Sequence, residues 1–163
     1  MATQLKNLSD FSHTTVPDGN NYKFAIAVAE WNAAITGSLY DGALKTLLSN
    51  GVLEENIISV PVPGSFELTG AAEILLSKHP ELDGVICLGC VIQGETRHFD
   101  FICQAVASGL TDVSIKHSKP VIFGVLTTDD QQQAVDRSGG KHGNKGDEAA
   151  ITAIKMAHLN ATV

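Results

Sequence analysis

Aromatic rings are scarce in this sequence, at 6% of its residues, and Trp31 is its one tryptophan. Cysteine is scarce too. Cys87, Cys90 and Cys103 form an odd set with no paired framework, which excludes a disulfide scaffold and fits a reducing compartment. No apolar run approaches the roughly 20 residues of a membrane-spanning helix, so no membrane is expected as a partner. Cations are outnumbered, with 11 Lys and Arg against 18 Asp and Glu and a net charge of −7. Nucleic acids and acidic membranes call for a basic face, so neither is an expected partner. The acidic balance does not forbid a small anion, which needs only a few local donors. The first twenty residues mix Ser, Asp, Thr, Pro, Gly and Asn without an apolar signal core, which points to a cytoplasmic location.

What is present is a domain-sized chain of 163 residues, 44% of them hydrophobic, enough to bury a core. Residues 1–21 lack periodicity and are expected to form an N-terminal arm, with a single domain over residues 22–163. Within that domain strand-like and helix-like segments alternate. Apolar runs at Tyr22–Ala29, Ile57–Val62, Gly84–Cys90 and Val121–Thr127 predict strands. Ile35, Leu39, Ala43 and Leu47 recur every four residues and predict a helix over Ala33–Asn50, with Gly51 ending it. Further helices are predicted over Ser65–His79, Thr96–Ile115 with Thr96 as its cap, Asp130–Arg137, and from a cap at Asn144 to Leu159. Short, nearly all-apolar strands separated by helices predict an α/β fold whose parallel sheet is covered on both faces.

Ligands of such sheets bind beyond the carboxyl ends of the strands. The loops there carry Trp31 and Asn32, the turn Pro63-Gly64-Ser65-Phe66-Glu67, and the stretch Val91 to His98. Trp31 suits stacking on a planar ring, and equally suits an edge of the core or an interface. Gly94-Glu95-Thr96 leads into a helix, where free backbone N–H groups favour an anion, though ordinary capping needs the same residues. His98 follows at once, and imidazole is the side chain that exchanges protons near neutral pH. Two other motifs are set aside. Cys87 and Cys90 form C-x-x-C on a strand, where residues three apart face opposite ways, so buried thiols are expected rather than a metal or redox pair. The glycine-rich segment Gly139 to Asn144, flanked by Arg137 and Lys145, fails the phosphate-loop pattern because Gly146 stands where Ser or Thr is required.

Taken in order and spacing, these segments resemble the lumazine synthases over about Tyr22 to Leu159. The carrying residues are Trp31-Asn32, Pro63 to Glu67, the stretch Leu88 to Asp100, Phe123 to Thr128, and Gly143 to Gly146. The resemblance implies a flavodoxin-like three-layer α/β/α sandwich with a four-stranded parallel sheet. It implies a transferase of riboflavin biosynthesis with two small-molecule substrates. Such enzymes condense 5-amino-6-(D-ribitylamino)uracil with 3,4-dihydroxy-2-butanone 4-phosphate to 6,7-dimethyl-8-ribityllumazine. They release phosphate and water and use no metal or redox cofactor.

The resemblance also implies roles for residues of this chain. Trp31, with Asn32 beside it, matches the aromatic that stacks on the pyrimidine. Ser65, Phe66 and Glu67 match the turn that holds the pyrimidine and ribityl chain, and Val91 and Ile92 match backbone contacts to the ring. Gly94, Glu95 and Thr96 match the phosphate loop, and His98 the proton-transfer residue. Phe123, Arg137 and Lys145 match a wall supplied by the neighbouring subunit of a pentamer, with Arg137 on the phosphate. Gln93 departs from the pattern, standing where many relatives carry Arg. The connection Gly139 to Asn144 has no insertion, as in members that join pentamers into a hollow sixty-subunit icosahedral shell. Riboflavin synthase is the protein partner such a shell would carry. Three other functions fit part of the pattern: a non-catalytic flavin or lumazine carrier, a riboflavin-forming dismutase, and a shell protein. The carrier would have no need of His98 and Arg137, nor the dismutase of a phosphate site.

Overall fold

The four apolar runs form four strands, β1 (Phe24–Ala29), β2 (Ile57–Val62), β3 (Gly84–Ile92) and β4 (Val121–Thr128). All three pairings are parallel and the order is β2-β1-β3-β4, so β2 and β4 are the sheet edges. The structure is a computed structural model and describes residues 7–12 and 14–163. The first six residues of the expected arm, and residue 13, lie outside the described residues.

Five helices cover the sheet: α1 (Ala33–Ser49), α2 (Leu68–Lys78), α3 (His98–His117), α4 (Gln131–Arg137) and α5 (Lys145–Thr162). Strand side chains alternate between faces, so each strand feeds two cores. Phe24, Ile26, Ile86 and Leu88 pack with Ile35, Leu39, Ala43 and Leu47 of α1 and Ala150, Ile154 and Ala157 of α5. Ala25, Ala27, Val85 and Cys87 pack against α2 and α3 through Leu68, Ala72, Val106 and Leu110. Cys90 joins the first core and Cys87 the second, as their spacing on a strand requires. Burial pushes the Cys87 thiol up to about 12 and the Cys90 thiol to about 11, so both stay protonated and unreactive at neutral pH. The result is the flavodoxin-like α/β/α sandwich, with α1 and α5 on one face and α2 and α3 on the other.

The outer face of α2 and α3 is tied by Glu73. Lys116 Nζ donates to its carboxylate at 2.5 Å and His117 Nε2 lies 2.9 Å away. These donors, Lys116 first, hold the carboxyl down to about 2.

The predicted cap at Asn144 forms, the one at Thr96 does not, and Asp130, expected as the first residue of its helix, caps it instead. The Asp130 carboxylate accepts from Gln133 N–H at 2.8 Å, and the Asn144 side chain accepts from Gly146 N–H at 2.8 Å. Thr96, expected to cap α3, stands one residue too early. The helix begins at His98 with Arg97 in the cap position, and Thr96 Oγ1 only accepts a long 3.4 Å bond from His98 N–H. The predicted break at Gly139–Gly143 is a small antiparallel ribbon, β5 (Ser138–Gly140) with β6 (Gly143–Asn144). Gly139 and Gly143 both have positive φ there, which is strained for other residues.

Candidate active site

Because the sheet is parallel, all four strands end on one side, and the loops that follow meet there. Backbone bonds fasten neighbouring strand ends together. Glu30 N–H donates to Val62 O at 2.8 Å, Trp31 N–H to Pro63 O at 3.2 Å, and Gln93 N–H to Thr128 O at 2.8 Å. Asn32 then turns the chain into α1 with φ 62°, a left-handed conformation that Asn tolerates better than most residues. Its side-chain amide donates to Cys90 O at 3.0 Å, bridging β1 to β3. Held this way, the Trp31 backbone is fixed while its side chain stays 73% exposed. A short 3-10 turn at Ser65–Glu67 leads into α2 and leaves Phe66 56% exposed.

These residues line a cavity of about 580 Å³. Trp31 and Asn32 come from the end of β1, Ser65, Phe66 and Glu67 from the turn after β2, and Val91 and Ile92 from the end of β3. His98 lines the same cavity from the first turn of α3. Sequence reasoning missed Ile102, although His98 and Ile102 are four apart and so share one helix face. Two large apolar side chains standing this exposed beside a concave site are available to a flat ring. Ser65 is different, being only 6% exposed. Its hydroxyl has no hydrogen-bond partner among the described residues, and the Gly89 backbone packs against it so closely that a Cβ there would lie 2.5 Å away.

The remaining predicted residues fall into two groups. Gly94, Glu95 and Thr96 are exposed in the loop between β3 and α3, where Gln93 Nε2 donates to Gly94 O at 2.8 Å. They line neither this cavity nor the next. Phe123, Arg137 and Lys145 line a second cavity of about 410 Å³ along β4, the strand at the free edge of the sheet. The structure thus separates within one chain residues that the expected site unites. Lys145 is paired with Glu148 at 2.7 Å. Arg137 donates from Nη1 to Gln133 O at 3.0 Å, and among the described residues it forms no salt bridge. Leu8, Gln133 and Glu148 also line this cavity and were not foreseen.

Comparison with known proteins agrees with this geometry. The sequence profile of 6,7-dimethyl-8-ribityllumazine synthase matches residues 21–161. The chain belongs to the 6,7-dimethyl-8-ribityllumazine synthase family. It is 60% identical over 156 residues to the 6,7-dimethyl-8-ribityllumazine synthase of Cytophaga hutchinsonii, covering 96% of this chain and 97% of that one. It is 55% identical over 159 residues to that of Porphyromonas gingivalis, covering 98% of each chain. The lumazine synthase of Parabacteroides distasonis is 52% identical over 161 residues, 99% of this chain and all of its own. Both cavities fall inside the region that matches the lumazine synthase profile, apart from Leu8. Among the described residues no helix is long and apolar enough to cross a membrane, and no cluster of three or more His, Cys, Asp or Glu could hold a metal ion.

Proposed function

We propose that this chain catalyses the lumazine synthase step of riboflavin biosynthesis. In that step 5-amino-6-(D-ribitylamino)uracil condenses with 3,4-dihydroxy-2-butanone 4-phosphate to give 6,7-dimethyl-8-ribityllumazine. The observation that carries the proposal is the first cavity, where Trp31, Phe66 and His98 converge within a chain 60% identical to a lumazine synthase. In this reading Trp31 stacks on the pyrimidine. Ser65, Phe66, Glu67 and the backbone of Val91 and Ile92 hold the ring and ribityl chain. The lone buried Ser65 hydroxyl supports that role, because a ribityl hydroxyl would supply the partner it lacks. Gly94, Glu95, Thr96 and Arg137 receive the phosphate. The uracil's amine attacks the ketone and water leaves as an imine forms. Phosphate then departs by elimination, and the ribitylamino nitrogen closes the ring with loss of a second water. Each step moves a proton, and His98, which lines the cavity, is the group we assign to carry it. None of these steps calls on a cofactor.

Two cavities in one chain also favour a shared site. Phe123, Arg137 and Lys145 lie on the free sheet edge, away from Trp31 and His98. If a neighbouring copy presents that edge to the first cavity, the two halves make one site. We therefore favour a pentamer with an active site at each subunit boundary. The insertion-free ribbon at residues 138–144 further favours twelve pentamers joined in a hollow shell, with riboflavin synthase a candidate cargo, in the cytoplasm. Negative-stain microscopy of purified protein should show uniform hollow spheres. Particles of five or ten subunits at high concentration would refute the shell.

The direct test of the reaction is to mix both substrates with the protein and follow lumazine absorbance and fluorescence. The same product gives a second readout. Trp31 is the chain's one tryptophan, so its emission should fall on saturation with the lumazine. Trp31→Phe should retain turnover, and Trp31→Ala should lose roughly tenfold in affinity for the uracil, the scale of one aromatic stacking contact. Unquenched emission at saturating lumazine would place Trp31 away from the ring.

A further inference from the structure

We propose that residues 7–9 form a positioning strap that sets where Arg137 and Lys145 stand. The proposal builds on the functional assignment above and gives a task to residues that precede the family match, which starts at residue 21. Leu8 is 8% exposed and lines the second cavity together with Phe123, Arg137 and Lys145. Its N–H donates to His142 O at 2.7 Å. One residue on, Ser9 Oγ accepts from Asn144 N–H at 2.9 Å. These two bonds hold the β5–β6 ribbon, which is the link between Arg137, the last residue of α4, and Lys145, the first of α5.

The strap lies directly on the ribbon. A Cβ on Gly143 would lie 2.8 Å from Ser9 N and 2.9 Å from Leu8 N, so glycine is required there for space as well as for its φ of 81°. From the ribbon the restraint passes both ways. Asn144 caps α5 through Gly146 N–H at 2.8 Å, and its Nδ2 donates to Ser38 O on α1 at 2.8 Å. His142 N–H donates to Asp136 O at 2.8 Å, next to Arg137. The Asp136 carboxylate pairs with Lys141 at 2.9 Å, and that hydrogen bond is the first cause of its lowered pKa.

A ribbon of three residues against two, with an irregular register, has little stability of its own. The strap gives it an outer layer and a fixed shape. Phosphate recognition by Arg depends on two aligned bonds, so a ribbon free to shift would spread Arg137 and Lys145 over several positions and weaken phosphate binding. The expected consequence is selective for one substrate, because the pyrimidine side of the site touches neither the strap nor the ribbon.

Ser9→Ala removes the acceptor for Asn144 N–H, Leu8→Ala the buried side chain, and Ser9→Thr keeps a hydroxyl. Steady-state kinetics should show the Michaelis constant for the butanone phosphate rising about threefold to tenfold in both alanine variants, the scale of one hydrogen bond. The constant for the uracil and the quenching of Trp31 by the lumazine should not move, and Ser9→Thr should behave as wild type. Titration with inorganic phosphate by calorimetry should show the same weakening independently of turnover. Unchanged phosphate affinity in both alanine variants would overturn the proposal. So would equal losses for both substrates accompanied by a lower melting temperature, which would reduce the strap to general stability. A wild-type protein that forms no lumazine would sink the functional assignment instead, and the phosphate titration would still decide the strap.

Discussion

Replacing His98 with alanine is expected to slow lumazine formation by roughly 10²-fold or somewhat less, at or just below the low end of what general acid–base catalysis contributes. Melting temperature and assembly should stay close to wild type. The side chain is exposed on the first turn of α3, and the hydrogen bond that His98 N–H donates to Thr96 Oγ1 is made by the backbone and survives the substitution. Loss of His98 therefore removes chemistry and leaves structure. It does not remove all of the catalysis. Holding two substrates in register is worth on the order of 7–11 kcal/mol in favourable cases, and Trp31, Phe66 and the phosphate donors would still provide that. The effect should fall on kcat, with both Michaelis constants within about threefold of wild type, because a proton-transfer group acts on the transition state rather than on substrate binding. A variant with an unchanged rate would take His98 out of the mechanism.

What could be read from the sequence beforehand, and what could not, follows from what is local. The strands are legible because they are short, apolar and bounded by breaks. The α1 spacing of Ile35, Leu39, Ala43 and Leu47 is legible because a helix turns every 3.6 residues, and all four side chains are buried. The cap at Asn144 is legible because an Asx side chain two residues ahead of a free N–H has one obvious use, whereas Asp130, read as the first helical residue, proves to be a cap. Thr96 misleads because Arg97 and His98 follow with no local signal to say which residue opens the helix. The positive φ of Asn32 at the end of β1 is equally silent, since it depends on a bond to Cys90 on another strand. The division of the expected site residues between two cavities is not a local property at all. It follows from strand order, which puts β4 on the edge, and strand order is not written in the pattern of any one segment. Leu8 and Ser9 are the extreme case. Their partners His142 and Asn144 lie at the other end of the chain, and the segment around them has no periodicity to mark it.

Replacing Arg137 with alanine is expected to raise the Michaelis constant for the butanone phosphate by roughly 30- to 100-fold, about 2–3 kcal/mol, and to change that for the uracil by less than about threefold. A guanidinium offers phosphate two parallel charge-assisted bonds, each worth about 1.5–3 kcal/mol when made to an ion. The net loss is smaller than their sum because, in the proposed site, the loop Gly94 to Thr96 remains as a donor. Of the two cations in the second cavity, Arg137 is the one less committed. Lys145 already holds Glu148 at 2.7 Å, whereas Arg137 spends Nη1 on a backbone carbonyl at 3.0 Å and leaves its other donors for a ligand. A chain with net charge −7 repels a phosphate dianion at long range, so local donors must outweigh that field and their removal is felt strongly. Arg137→Lys should recover only part of the affinity, since an ammonium supplies charge without the fork. The kcat of Arg137→Ala should recover at saturating butanone phosphate, which separates this variant from His98→Ala, where no substrate concentration restores the rate. Equal rises for both substrates would mean that Arg137 supports the assembly rather than the phosphate.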